Sequence, residues 1–486
     1  MNTLQPAIVW QHFQTLCAIP RPSKQEDAIR GHIDAWARQR NLRTEIDEAG
    51  NLLIRKAASA GHEQRPGVVM QAHLDMVCQV LDPGAGGTPH DFSRDAIRTE
   101  ERDGWLAAPN TTLGADNGLG VALALAALED ATLAHGPLEV LLTVDEEAGM
   151  SGAHGLRPGW LQSRLMLNLD TEAWGEFFLG CAGGCDVHVD RAVTREAVPE
   201  GYLAIEITVG GLRGGHSGCD IHLGLGNANR LLVSVLREIE RELAGELRLA
   251  TLRGGTARNA LPREARAGVA IPASAPALAQ VETLVARLEQ RFRQEFAGRD
   301  DGLTLGCREA AAGTVLIPPD QEALFAALEA SPYGVYSMSE DFPGVVDSSN
   351  NLGVVELDER GFSATLLVRS LRTAGLQELA ERIAGVWRSK QCQVRIDGHY
   401  PGWTPNPTSP LLALCQRVFR DEFASGASVQ VIHAGLECGL INAKYPDMDT
   451  VSFGPTIRGA HAPGERVEIE SVAKSWRLLR AILAAV

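Results

Sequence analysis

His73, Asp75, Asp116, Glu146, Glu147, Asp170 and His461 stand far apart along the chain, yet their types fit one chemistry. Mixed imidazole and carboxylate suits Zn²⁺, Mn²⁺ or Co²⁺ better than Ca²⁺. One carboxylate can bridge two such ions about 3.5–4 Å apart, the arrangement that two-metal hydrolases require. His73, Asp116, Glu147, Asp170 and His461 are therefore candidate ligands for two divalent ions, Zn²⁺ first, with Mn²⁺ and Co²⁺ as alternatives. Asp75, two residues after His73, is placed to accept the other N–H of that imidazole. Glu146 adjoins a ligand without needing to be one, and is the natural general base for an activated water.

The elements that must position these residues are legible from hydrophobic patterning. Val68–Met70, Leu138–Val144 and Leu165–Leu169 are apolar runs of strand length. His73 follows the first, Glu146 and Glu147 the second, and Asp170 the third. Asp116 lies in the glycine-rich stretch Leu113–Gly120, which leads into an Ala/Leu-rich helix reaching Leu128, and His461 sits in the loop Gly459–Gly464. Ligands of open α/β sheets gather at the carboxyl ends of strands. Taken singly, a strand-terminal Asp is more often a cap, and a Glu-Glu pair a solvated face. Gathered at one end of one sheet, such groups repel each other unless cations neutralise them.

Alternating helices and buried strands from about Gln5 to Gly180 predict a mostly parallel sheet covered on both faces. The pattern changes after Cys185. Tyr202–Val209 alternates like a half-exposed strand, and Leu231, Leu232, Val235, Leu236, Ile239 and Leu243 form a helical stripe. Strands near Leu247–Thr251, Ala265–Ile271 and Leu303–Cys307 accompany a helix at Leu278–Phe296. A similar order recurs with a helix at Gln321–Glu329, strands at Val354–Leu357, Ser363–Val368 and Gln393–Ile396, and a helix at Leu376–Trp387. The expected architecture is an α/β catalytic domain formed by residues 1–185 and 400–486, interrupted at 186–399 by an inserted α+β domain of two small sandwiches in tandem.

The chain has 486 residues, enough for two or three domains. Its 45 Lys+Arg against 61 Asp+Glu give a formal charge of −16. A field of that sign repels phosphate backbones and anionic membranes, which excludes nucleic acid and membrane as partners. The nine cysteines are odd in number and complete no zinc-finger spacing. Met1–Pro20 lacks a basic patch before a long apolar run, and Val121–Leu128 is too short to span a bilayer. Cytoplasmic residence with reduced thiols is the expectation.

An ordered set of motifs ties these residues together: Ile19-Pro-Arg-Pro-Ser-Lys24, Ala72-His-Leu-Asp75, Gly114-Ala-Asp-Asn-Gly118, Asp145-Glu-Glu-Ala-Gly149, Asn168-Leu-Asp170 and Gly459-Ala-His461. With them the whole chain resembles the M20 metallopeptidases, and among these the dipeptidases that take Xaa-His and related unblocked dipeptides. The resemblance implies that His73 and Asp170 hold one ion, that Glu147 and His461 hold the other, and that Asp116 bridges. It makes Glu146 the base and acid, Asp75 the supporting carboxylate and the inserted domain a lid. Within that domain, Gly214-Gly-His-Ser-Gly218 matches the motif whose histidine, here His216, reaches the substrate carbonyl. Arg258-Asn-Ala-Leu-Pro262 matches a substrate-binding motif through Asn259, with Leu261 where Ile is commoner. Arg369 matches the arginine that takes the substrate's free carboxylate, and a homodimer is implied.

Without the resemblance, Gly214–Gly218 is a flexible turn and Arg369 a surface residue. His433 and Glu437 admit two readings, contact with the substrate's amino end or the start of a helix near the site. Cys438 reads as a small buried residue. The rival enzyme reading is a deacylase of N-acyl amino acids built on nearly the same site. A rival of another class is an inactive peptide-binding protein, against which the complete ligand set and Glu146 speak.

Overall fold

The runs of Val, Leu, Ile and Met around residues 68, 138 and 165 become neighbouring strands of one eight-stranded sheet. The computed structural model describes residues 4–82, 84 and 86–486. By its internal contacts the chain forms two compact units. One comprises Met1–Gly180, Trp403–Val431 and Leu436–Val486, the other Cys181–Gly402 and Ile432–Gly435.

In the first unit the strand order is Arg43–Ile46, Leu52–Lys56, Leu138–Thr143, Val68–His73, Leu165–Asn168, Asp449–Ser452, Glu176–Cys181 and Ser428–Ile432. The sheet is parallel only at its centre, where Val68–His73 pairs in parallel with Leu138–Thr143 and Leu165–Asn168, and the latter with Asp449–Ser452. Antiparallel pairings flank this centre, at Arg43–Lys56 on one side and at Glu176–Cys181 on the other. The central strands are the near-continuous apolar runs expected where both faces are covered. The helices of this unit are Ala7–Ala18, Asp27–Gln39, Ala115–Glu129, Pro410–Phe423, Glu437–Lys444 and Ile469–Ala485, with shorter turns between.

Ala115–Glu129 is apolar on every side and buried from Asn117 to Leu128, as a helix without a polar face must be. Glycine lets it lie close to the sheet. A side chain at Gly120 would press into the carbonyl oxygen of Leu169 at 2.5 Å, and one at Gly118 would meet Arg21 Nη2 at 2.7 Å. The start of this helix therefore reaches the chain just before Asp170.

The second unit is built on one nine-stranded antiparallel sheet. Its order runs Thr304–Glu309, Tyr202–Gly210, Ala265–Pro272, Arg248–Gly254, Val346–Asp358, Gly361–Ser370, Gly183–Arg191 and Gln393–Tyr400, with Gly334–Met338 paired beside Val346–Asp358. The two expected sandwiches are thus not separate. Leu252–Gly254 pairs with Val355–Leu357 and fuses their sheets edge to edge. Fusion satisfies backbone groups that two free edges would leave open. Helices Ala228–Glu242, Ala275–Glu295, Pro318–Ala330 and Thr373–Ser389 complete the unit. Ile205, Ile207 and Val209 join Leu232, Val235, Leu236 and Ile239 in its core, and Asn227 caps the helical stripe by accepting from Arg230 N at 3.2 Å. Among the described residues, no helix is long and apolar enough to cross a membrane.

Candidate active site

Parallel pairing places three chemistry-bearing segments side by side. His73 is the last residue of its strand and is in register with Thr143, while Gln71 is level with Asn168. The chain therefore leaves three adjacent strands at one level, carrying His73, Glu146 with Glu147, and Asp170. Asp145 turns the second segment through a left-handed conformation (φ 57°), which Asp tolerates better than most residues. His461 arrives on its own loop, also left-handed at φ 63°.

Asp116 stands between the two imidazoles. His73 Nε2 is 3.1 Å from its Oδ1, and His461 Nε2 is 3.2 Å from its Oδ2. Asp170 Oδ1 lies 3.2 Å from His73 Nε2, and Glu147 Oε2 lies 3.1 Å from His461 Nε2. Two interlocking sets of potential ligand atoms result, His73 with Asp116 and Asp170, and Asp116 with Glu147 and His461, each within 4.8 Å. Glu146 joins His73 and Glu147 in a third set. His73 is buried, whereas the His461 side chain is 51% exposed.

The donor set fits divalent cations. Buried Glu147 Oε1 has no hydrogen-bond partner, and His73 Nδ1 faces Asp75 Oδ1 at 3.3 Å outside hydrogen-bond geometry. Burial raises the Asp170 carboxyl to about 6, assisted by the charges of Asp116 and Glu147. Burial works in the same direction on Asp116, but hydrogen bonds to His461 and His73 outweigh it and hold that carboxyl well below the usual range. The partners Asp116 and Glu147 raise His461 to about 11. Burial opposes charge on His73, yet Asp170, Asp116 and Asp75 hold its pKa well above the ordinary value. Glu146 is pushed well above the carboxylate range by burial, then by Asp170, Glu437 and Glu147. A crowd of carboxylates that raises every imidazole beside it is a site that favours positive charge.

Asp75 organises one side of this cluster. Its carboxylate accepts from Glu146 N at 3.0 Å, Glu147 N at 3.1 Å and Ser23 Oγ at 2.7 Å. Those bonds and His73 overcome burial and bring it to about 2. Glu437 begins the helix Glu437–Lys444 and is 1% exposed. Its Oε2 accepts from Thr143 Oγ1 at 2.6 Å and Gln71 Nε2 at 2.8 Å, while its Oε1 has no partner. Burial raises it to about 7.

Sequence reasoning overlooked several supporting groups. Buried Arg21 donates to the carbonyls of Leu74 at 3.1 Å, Asp75 at 2.9 Å and Gly114 at 2.5 Å. Glu465 accepts from four consecutive backbone N–H groups, at Leu113 to Asp116. Glu172 follows Asp170 by two residues and is raised to about 7 by burial and by Asp116. Arg21 lies inside a recognised motif without an assigned task. Glu465 and Glu172 carry no local signal, since each resembles an ordinary loop glutamate.

The second unit gathers its own polar cluster. The motif segments holding His216 and Asn259 pair with each other, through Ser217 N to Asn259 O at 2.9 Å and Leu261 N to Gly215 O at 2.8 Å. The Asn259 residue is exposed. His216 Nδ1 accepts from Gly218 N at 3.2 Å and Cys219 N at 3.0 Å, which leaves Nε2 to carry the proton. That Nε2 lies 3.4 Å from Arg369 Nη2. Burial, then Arg369, lowers His216 to about 4, so the ring is neutral. Arg369 is buried, donates from Nη1 to Tyr400 OH at 2.6 Å, and has no partner at Nε. His433 belongs to this unit and contacts Ser349 Oγ through Nε2 at 2.8 Å. Two donors facing each other, His216 Nε2–H and Arg369 Nη2, call for a shared anionic acceptor.

Positions 69–485 match the model of peptidase family M20/M25/M40, a span that includes every candidate ligand. The chain is 43% identical over 484 residues to the cytosol non-specific dipeptidase of Escherichia coli (strain K12), covering 99% of this chain and 98% of that one. The crystal structure of aminoacylhistidine dipeptidase from Vibrio alginolyticus superposes with a TM-score of 0.89 at 42% identity, over 100% of this chain and 98% of that one. The aminopeptidase PepT of Bacillus cereus shares the fold, with a TM-score of 0.56 at 14% identity over 99% of both chains. With a family match over most of its length, a relative 43% identical and a solved structure of the same fold in agreement, the chain belongs to peptidase family M20/M25/M40.

Proposed function

We propose that this chain hydrolyses unblocked dipeptides, Xaa-His among them, at a centre of two divalent ions, Zn²⁺ first, with Mn²⁺ and Co²⁺ as alternatives. The observation that carries this reading is the placing of Asp116, one oxygen toward His73 and the other toward His461. His73 and Asp170 would hold one ion and Glu147 and His461 the other, with Asp116, which faces both imidazoles, shared between the two sets. Bound there, the ions supply Lewis-acid polarisation of the scissile carbonyl and a water acidic enough to ionise near neutral pH. The names of the relatives, a non-specific dipeptidase and an aminoacylhistidine dipeptidase, support the substrate class.

The chain's own residues perform the proton transfers and the positioning. Glu146 takes the proton of the attacking water and passes it to the leaving amine. Asp75 holds the backbone of Glu146 and Glu147 and backs His73. His216, neutral with its proton on Nε2, donates to the oxyanion as the tetrahedral centre forms. Arg369 takes the substrate's carboxylate in a bidentate fork, and Asn259 assists at the same end. Glu437 opens its helix with Oε2 bonded to Thr143 and Gln71 and Oε1 without a partner, and is the remaining substrate-binding candidate, toward the amino end. Cytoplasmic residence and a homodimer complete the reading, supported by the cytosolic relative and by the family resemblance respectively.

One experiment tests the reaction class. Metal-free protein, prepared by chelation, is assayed on β-Ala-His, Gly-His, Leu-Leu and N-acetyl amino acids before and after adding Zn²⁺, Mn²⁺ or Co²⁺. Dipeptide turnover should vanish on chelation and return with metal. Turnover of the N-acetyl compounds alone would assign the chain to the deacylases, and full activity in metal-free protein would sink the two-ion centre.

A second measurement addresses the carboxylate anchor. Arg369→Ala should cost roughly 2–5 kcal/mol in kcat/KM for a dipeptide, the scale of losing one partner of a buried charge pair. Arg369→Lys should recover part of this, because a point charge replaces the fork. A dipeptide amide should be affected far less, and equal losses on acid and amide would remove the anchor.

A further inference from the structure

We infer that Glu465 is a positioning residue for the metal centre, a buried clamp that sets the Asp116 loop against the His461 loop; the inference rests on the two-ion reading above. Glu465 is 2% exposed. Its Oε2 accepts from Leu113 N at 2.8 Å and Gly114 N at 3.0 Å, and its Oε1 from Ala115 N at 2.8 Å and Asp116 N at 3.3 Å. One side chain thus receives the N–H groups of four consecutive residues, ending at the carboxylate that both imidazoles share.

Those N–H groups need such an acceptor. The first turn of a helix has no intrahelical acceptor for its N–H groups, and its positive end favours an anion. Ala115–Glu129 has Gly114 at its cap position and no side-chain cap of its own. Glu465, contributed from far along the chain, does that work. Asp116 departs from helical geometry, with φ −81° and ψ 115°, so neighbouring helical hydrogen bonds cannot by themselves fix its carboxylate. The clamp also fixes the other ligand loop. Glu465 follows His461 by four residues, and its own N–H donates to Ala462 O at 3.1 Å, while Gly464 N donates to Ala108 O at 3.0 Å. His461 and Asp116 are therefore held to one another through Glu465 before any ion binds. The buried guanidinium of Arg21, bonded to the carbonyls of Asp75 and Gly114, supplies nearby positive charge to this carboxylate. Asp75 plays the matching part on the other side, where it receives the N–H groups of Glu146 and Glu147.

The two ions should respond differently to a change at Glu465. Loosening Glu465 frees the His461 loop as well as Asp116, so the ion held by Asp116, Glu147 and His461 loses support at two ligands and the ion held with His73 and Asp170 at one, and the first should suffer more. In Glu465→Gln the amide keeps one acceptor oxygen and turns an NH₂ toward two backbone donors. Zn²⁺ binding to metal-free protein is followed by competition with a chromophoric chelator, alongside the Tm of the metal-free form. One of the two binding steps should weaken roughly 10–100-fold, the range for loss of an outer partner of a metal ligand. The other step should change far less, and kcat measured at limiting Zn²⁺ should recover on adding more. Glu465→Asp, which retains both oxygens on a shorter stem, should weaken the same step less, and it serves as the test if Glu465→Gln does not fold. Two unchanged steps in Glu465→Gln would overturn the inference. So would equal weakening of both with a lower Tm of the metal-free protein, the mark of a merely structural role. Fewer than two steps in the unsubstituted chain would instead overturn the two-ion reading itself.

Discussion

Glu146→Gln is expected to keep the metal content of the unsubstituted chain and to lower kcat by about 10²–10⁴-fold, the usual contribution of a positioned general base. The amide matches the carboxylate in size but cannot take a proton. Its backbone anchor survives, because Asp75 binds the N–H of residue 146 whatever the side chain. With its size and its backbone anchor unchanged, the substituted side chain should leave the fold undisturbed. Glu147→Gln should behave oppositely. Its Oε2 lies 3.1 Å from His461 Nε2 and its Oε1 has no protein partner, so the substitution should reduce metal occupancy first and turnover as a consequence. Metal analysis beside single-turnover kinetics distinguishes the two variants, and the reverse pattern would mean that the roles of base and ligand are exchanged.

Asp116→Ala should have the largest effect of any ligand substitution. Among the described residues it is the member common to the two ligand sets containing Asp170 and His461, so one change should damage both ions. The loss of metal affinity should exceed the roughly 10–100-fold seen when an outer partner is removed, and dipeptide hydrolysis should fall below detection at equimolar metal. Helix content is the control. Gly114, Ala115 and Glu465 remain in place, and the buried helix Ala115–Glu129 draws its stability from apolar packing, so circular dichroism should be unchanged. Native activity in this variant would remove the bridge.

Much of this fold is legible in the residues. Runs such as Leu138–Thr143 and the stripe from Leu231 to Ile239 declare strand and helix because apolar side chains must repeat with the period of the element that buries them. The strand Val346–Asp358 shows where that logic stops. Its first half, Asp347-Ser-Ser-Asn-Asn351, is polar and yet buried. Each of these side chains finds a partner in the fold, as Ser349 does with His433, Asn350 with Pro332 O, and Asn351 with Arg258 O and Ala260 O. Hydropathy cannot announce a strand whose burial is made tolerable by distant groups. Fusion of the two expected sandwiches into one sheet was hidden for a related reason, because edge pairing is backbone to backbone and leaves little trace in side-chain pattern.

The same division applies to the candidate site. Sequence alone determined the residue types and the places of His73, Glu146, Glu147 and Asp170 after apolar runs, because a strand period and a strand end are local properties, and its ordered motifs carried the family resemblance. Tertiary structure decided what those residues share. It set Asp116 between two imidazoles, gave the backbone of Glu146 and Glu147 to Asp75, and closed the start of the Asp116 helix with Glu465. It also turned His216 and Arg369 toward each other as paired donors. These are contacts between residues tens to hundreds of positions apart, and no local pattern encodes them. They exist only because strand register, helix approach at Gly120 and loop geometry at His461 fix distances that the order of residues leaves free.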